Sequence, residues 1–189
     1  MIKALLIFSA LLSTEAKENY KVSTEESTVE WVGKKVTGQH NGVISLQGGR
    51  LEMEGGMLVG GIFTIDMTTI TDLDLSRGSK GKLEGHLKSD DFFGVEKYPT
   101  STFTITKAVP QGPGKYKIVG NITIKGKTEE IQFPATVEEK DGKIVASATL
   151  SIDRSKFDVR YGSGSFFDNL GDKTIYDNFD LSISLVASK

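Results

Sequence analysis

The sequence predicts an all-β fold, an eight-stranded antiparallel barrel with one short helix in a connection. Three observations predict it. From Tyr20 onward apolar and polar residues alternate over most of the chain, which is the period of a half-buried strand. Gly, Pro and Asp punctuate the alternating runs at hairpin spacing, so neighbouring strands are antiparallel. A meander of this length, within 189 residues, closes most naturally into a barrel, which removes free edges and leaves an interior able to hold one small ligand. The rival is a two-sheet sandwich with Greek-key connections, and hairpin signals between consecutive strands favour the barrel.

The N-terminus comes first. Met1-Ile2-Lys3 is a short positive end, Ala4 to Leu12 is an apolar run, and Ser13-Thr14-Glu15-Ala16 ends on a small residue. This is the pattern of a cleaved secretory signal over residues 1–16, with one domain over 17–189 and an exported location, periplasmic or extracellular. An amphipathic or buried N-terminal helix is the alternative. The run falls short of the roughly 20 apolar residues that span a bilayer, so no stable membrane insertion is expected. Cysteine is absent, which excludes disulfides, thiolate metal sites, cysteine nucleophiles and a lipid anchor on that residue.

The strands follow in order. Thr28 to Val36, Gly42 to Leu46, Arg50 to Met53 and Met57 to Thr69 read as the first four stretches. Leu73 to Ser89 is the non-strand insertion, where a helix would be short and weak because Gly78, Gly81 and Gly85 each cost up to about 1 kcal/mol relative to Ala. In the following turn Ser89, Asp90 and Asp91 are candidates to accept backbone N–H groups, carrying Phe92 and Phe93 onto the sheet. Pro99 ends that turn and biases Tyr98 toward an extended conformation. Thr100 to Ala108 is the next strand. Tyr116, Ile118, Gly120, Ile122 and Ile124 share one face of another, followed by Ile131, Phe133, Ala135 and Val137, then Ile144, Ala146, Ala148, Leu150 and Ile152, and last Phe179, Leu181, Ile183, Leu185 and Ala187. Gly112-Pro113-Gly114, Lys125-Gly126-Lys127 and Asp141-Gly142 supply turns between them, the last a strong two-residue hairpin signal.

Composition narrows the function. At 38% hydrophobic and 25% charged the chain can bury a sizeable single core. The net charge is −2 with Lys and Arg dispersed among Asp and Glu, so no field draws in nucleic acid. The inward sets are aliphatic or aromatic, with Gly120, Ala135, Ala146 and Ala148 leaving room, which describes either a narrow apolar tunnel or a barrel filled by its own side chains. A tunnel would favour long chains: about 16 buried methylenes give a gross term near 12 kcal/mol, against roughly 1 kcal/mol for one head-group hydrogen bond.

The stretch from Gly85 to Phe103 interrupts the alternation and is the most distinctive. His86-Leu87-Lys88-Ser89-Asp90-Asp91-Phe92-Phe93, followed by Lys97-Tyr98-Pro99 and a strand reaching Phe103, resembles the signature of the YceI-like family, the lipocalin-like proteins described as polyisoprenoid-binding. Gly38-x-His40-x-Gly42, after a strand with Trp31 and Lys34, resembles the family's Gly-x-His-x-Gly element. Gly120 to Gly126 and Arg154-Ser155-Lys156-Phe157 match two later elements, with Asn121 and Ile122 as local variants. The resemblance spans Tyr20 to Ala187. It implies a binding protein and not an enzyme, with no cofactor or metal, whose partner is a long-chain apolar lipid of the isoprenoid quinone or polyprenol class. The ligand-binding candidates are Trp31, Lys34, His40, Phe63, His86, Phe92, Phe93, Tyr98, Phe103, Ile122, Phe133, Phe157, Phe166 and Phe167. A homodimer, paired side by side through an outward apolar face, is a possible assembly.

Structural readings stand beside these. His40 also suits a turn, His86 the packing of the short helix, Phe92 and Phe93 the closing of one barrel end, and Arg154 a structural clamp. Tyr161 to Asp172, with Gly162 and Gly164 before Phe166-Phe167, has the composition of a lid. Asp168, Asn169, Asp172 and Asp177 fit no EF-hand spacing and lack its closing glutamate. Asn121-Ile122-Thr123 matches the N-glycosylation pattern but falls within a strand. Asp90 with Asp91, or His40 with His86, would be the acid–base groups of an enzyme, yet adjacent aspartates on a turn diverge and no nucleophile elbow, phosphate loop or dinucleotide fingerprint is present. A filled barrel acting as a protein-interaction module is the other alternative, which an exposed apolar patch would mark.

Overall fold

A computed structural model describes residues 16–189; the leader expected over 1–16 lies outside the described residues except for Ala16. Strands β1 (Glu18–Val22), β2 (Thr28–Lys35), β3 (Gly38–Glu54) and β4 (Met57–Asp72) precede helix α1 (Arg77–Lys88). Strands β5 (Thr100–Gly112), β6 (Lys115–Ile124), β7 (Lys127–Lys140), β8 (Lys143–Asp153) and β9 (Ile175–Ser188) complete the chain, with 3-10 turns at Arg154–Phe157 and Gly171–Lys173.

Every strand from β2 to β9 pairs antiparallel with its sequence neighbour, and β2 closes the circle on β9. β1 adds no stave. It pairs with the end of β3, Glu18 opposite Met53, and with the end of β9, while β2 pairs with the start of β3 and with the start and middle of β9. β1 and β2 are thus two pieces of one interrupted stave, and the barrel is eight-stranded and closed. Tight turns close the hairpins at Gly55-Gly56, Lys125-Gly126 and Asp141-Gly142, where both central residues have positive φ, the geometry that matches strand twist.

Alternation places the core. In β6 Tyr116, Ile118, Gly120, Ile122 and Ile124 are all buried while Lys115, Lys117 and Asn121 face water. The expected inward set of β7 is only half-buried at Ile131, Phe133 and Ala135.

Three elements differ from expectation. β1 was not anticipated. The stretches 42–46 and 50–53 are one long strand, because the ladder to β4 runs on through register shifts between Val43 and Ser45 and between Leu46 and Gly48. Gly49 there marks a close strand approach and not a turn: a Cβ would meet Ile62 O at 2.9 Å. The helix is a full 12 residues, since tertiary contacts offset its glycines. Leu87 is buried, and Glu84 Oε1 accepts from the Thr71 hydroxyl and from Asp72 N–H at 2.9 Å. In the next turn Ser89 does not accept through its side chain. Its hydroxyl donates to His86 O, and its own carbonyl accepts from Phe92 and Gly94 N–H.

Candidate functional site

The irregular segments gather at one end of the barrel: the β2–β3 turn, α1, the Ser89–Pro99 turn and the β8–β9 connection all follow or precede strand ends on that side. The short β3–β4, β5–β6 and β7–β8 turns lie at the other end, with β1 in the wall beside them. Between them runs an apolar cavity of about 210 Å³.

Inward residues of several staves build its wall. Phe63 of β4 stacks with Phe103 of β5 at 6.3 Å between ring centroids, and Phe103 meets Phe133 of β7 at 5.5 Å. Gly120 of β6 makes this possible, because a Cβ there would lie 2.5 Å from the Phe103 ring; the room it leaves is taken by that ring. Phe103, Ile131, Phe133, Ala135, Leu150, Phe179, Leu181 and Ile183 are only half-buried although they point inward, and all of them face the cavity. Incomplete filling of the barrel is therefore what keeps these expected core positions from full burial.

Polar groups meet the cavity mainly at the irregular end. Lys34, Arg154, Tyr176 and Asn178 reach its wall, and Lys34, Tyr176 and Asn178 also line an adjoining polar cleft with Asp180. Lys34 Nζ donates to Asp180 at 2.7 Å and holds that carboxyl below the usual carboxylate range. Arg154 is 2% exposed and donates to Val159 O (2.7 Å), Ile175 O (3.0 Å) and Tyr176 O (3.2 Å), with Asp177 at 3.4 Å and the Phe92 ring at 5.2 Å. Burial lowers its pKa, and Asp177 then Asp153 oppose that. It is a clamp that ties the β8 end to the β9 start.

The wall has a gap. β7 pairs with β6 along Lys127 to Thr136, but its ladder with β8 stops at Ala135 opposite Ala148. Pro134 is the cause. Val137 N–H points to β6, where it donates to Gly114 O; residues of the same parity do likewise, so position 134 directs its nitrogen toward β8, and proline has no N–H to give. An outer groove containing Gln132, Pro134 and Thr149 lies over the gap and shares Phe133, Ala135 and Ala148 with the cavity.

Of the residues singled out from the sequence, Trp31, Lys34, Phe63, Phe92, Phe93, Phe103, Ile122 and Phe133 line the cavity. The others lie elsewhere. His40 is at the barrel rim, its Nδ1 3.0 Å from Asp74 Oδ2. The Asn41 N–H first, then His40, hold the Asp74 carboxyl down at about 2. His86 packs edge-on to Phe92 and Tyr161, at 5.6 and 4.4 Å. Tyr98 covers Gly94 and Gly126, and Phe157 is core at 1% exposure. Phe166 and Phe167, expected in a lid, are exposed, with Arg160 over the Phe166 ring at 4.9 Å. The sequence reading passed over Tyr176 and Asn178, whose signal was their place at the start of the last alternating strand, and over Pro134.

Comparisons with known proteins agree with this architecture. A family model described as YceI-like domain matches residues 20–187. Burkholderia cenocepacia BcnA is similar in structure, with TM-score 0.71 and 27% identity over 88% of this chain and 99% of that one. A polyisoprenoid binding domain from Saccharophagus degradans, implicated in plant cell wall breakdown, has TM-score 0.65 over 89% of this chain and 97% of its own, and at 12% identity shares the fold alone. A UPF0312 protein of Staphylococcus aureus (strain USA300) is 33% identical over 107 residues, 52% of this chain and 60% of that protein. A UPF0312 protein of Vibrio vulnificus (strain YJ016) is 36% identical over 63 residues, 33% of this chain and 32% of that protein. The chain thus spans from about a third to three-fifths of the length of these curated relatives.

Proposed function

We propose, from the premise that this chain belongs to the YceI-like family, that it is an exported protein that sequesters or carries an isoprenoid or other long-chain apolar lipid inside its barrel. The observation that carries this reading is the apolar cavity of about 210 Å³ whose polar groups are confined mainly to one end. The lipid chain lies among Phe63, Phe103 and Phe133, and its head group meets Lys34, Tyr176 and Asn178. Binding, and not catalysis, suits a wall with almost nothing on it to activate a substrate. Export rests on the leader pattern of residues 1–16.

The cavity volume is below the roughly 300–1,000 Å³ usual for ligand pockets. A long chain therefore parts the aromatic side chains as it enters, and the β7–β8 gap, where the ladder is already open, is where the wall yields. No helix among the described residues is long and apolar enough to cross a membrane.

Native mass spectrometry of protein purified from an exporting host, without lipid removal, tests the reading. One apolar adduct per chain with an isoprenoid or fatty-acyl mass pattern is the expected result. A clean protein mass, with no uptake of added polyprenol, quinone or fatty acid, would instead favour a filled barrel used for protein interaction. N-terminal sequencing of the exported protein is expected to begin at Lys17.

A further inference from the structure

Outside the cavity, at the irregular end, three side chains with metal-ligating atoms converge. His40 lies near the start of β3, Asp72 ends β4, and Asp74 follows on the way into α1. One donor atom from each lies within 4.8 Å of the others. His40 and Asp74 alone would make an ordinary surface ion pair of small consequence. Asp72 is different, because the residue is 0% exposed. Its Oδ1 accepts Leu75 N–H at 2.8 Å, while Oδ2 is buried and finds no hydrogen-bond partner among the described residues. Buried carboxylate oxygens are hydrogen-bonded or coordinate a cation, and the group beside this carboxyl is a second carboxyl, Asp74.

We propose that His40, Asp72 and Asp74 form a binding site for one divalent first-row transition cation, with Zn²⁺ as its natural probe. The donor set decides the class. One imidazole and two carboxylates are ligands that zinc accepts in tetrahedral sites, and imidazole suits zinc and its neighbours better than magnesium or calcium, which seek six or more oxygens. Both carboxylates are already oriented through their other oxygens, Asp72 by Leu75 N–H and Asp74 by Asn41 N–H at 3.1 Å, which is how outer hydrogen bonds set metal ligands. A dication also neutralises two carboxylates held close together. Bound there, it cross-links the β2–β3 hairpin, the end of β4 and the lead into α1.

The chain carries its own reporter. Trp31 is its single tryptophan. Gly42 stands opposite Asp72 in the β3–β4 ladder, and a Cβ on Gly42 would fall 2.6 Å from the Trp31 indole. A dication bound at Asp72 should therefore alter Trp31 fluorescence.

The test is Zn²⁺ titration of the full, EDTA-stripped and dialysed protein by calorimetry, with Trp31 fluorescence and Tm followed in parallel. One Zn²⁺ per chain, a raised Tm and a fluorescence change are expected. Asp74→Asn and His40→Ala change partly exposed side chains, so the barrel persists, and each should weaken binding by at least about tenfold and abolish the fluorescence change. Asp72→Asn should do the same, and if that variant does not fold the other two still decide. Absence of stoichiometric Zn²⁺ binding, or unchanged affinity in both partly exposed variants, overturns the proposal.

Discussion

Phe103 and Gly120 show how one residue's size sets another's place. The small side chains inside the barrel read, in sequence, as room for a ligand, yet the space beside Gly120 holds the Phe103 ring, and the free volume lies elsewhere. Helix glycines behave differently. A Cβ at Gly78, Gly81 or Gly85 meets nothing within 4 Å, so these residues add only unfolded-chain entropy. Gly81→Ala should stabilise the protein by about 0.5–1 kcal/mol in urea unfolding. Arg154 is the opposite case, since it is buried and its fork satisfies backbone carbonyls of Val159, Ile175 and Tyr176. Lysine keeps the charge but not the planar fork. Arg154→Lys should cost at least about 2 kcal/mol through carbonyls left unpaired, measured in the same way, and an unchanged midpoint would remove the clamp from the account of the fold.

At the level of the element, strand identity was legible because period-2 alternation is local: each of β6, β8 and β9 carries its inward set in its own sequence. β1 was not, because five residues offer only Tyr20 and Val22 as inward positions, and their burial depends on partners in β3 and β9 far along the chain. Pro134 was visible in the sequence, but its effect depends on which neighbour its nitrogen faces, and that is a matter of register. Pro134→Val restores the N–H. The β7–β8 ladder should then extend past Ala135, raising Tm and slowing lipid uptake, as followed by stopped-flow binding of a fluorescent fatty acid; faster uptake would locate the yielding wall elsewhere. Helix α1 is held to β4 by a different device. The Thr71 hydroxyl first, then the Asp72 N–H, hold the Glu84 carboxyl below the usual carboxylate range, with Lys80 and Lys88 on the same helix adding to this. A depressed folded-state pKa gives stability that is present above the unfolded carboxylate value of about 4.3 and is lost as pH falls through the lower folded one. The difference in urea midpoint between the protein and its Glu84→Gln variant should therefore be largest near neutrality and shrink below about pH 4. A difference that does not change with pH would mean that Glu84 acts through shape alone.

For the whole molecule, the cavity is a property of closure. No single strand holds it, which is why the aromatic residues named from sequence divided between cavity wall, core and surface: Phe133 and Phe157 both read as apolar, and only the closed barrel turns the first toward the cavity and packs the second into the core. A lipid that binds only the folded barrel stabilises it by mass action, about 2.7 kcal/mol at a hundredfold excess over Kd, or roughly 5–10 °C in Tm for a domain of this size. Ala148 faces the cavity next to the wall gap. In a barrel with free volume, Ala148→Leu buries three more carbons, worth up to about 2 kcal/mol, so Tm without lipid should rise while the lipid-dependent increment disappears. In a barrel already filled, the same substitution overpacks and costs about 1–3 kcal/mol, and lipid would stabilise neither protein. Calorimetric scans of both proteins with and without added lipid separate the two cases, because a volume that holds a ligand and a volume that holds a leucine are the same volume.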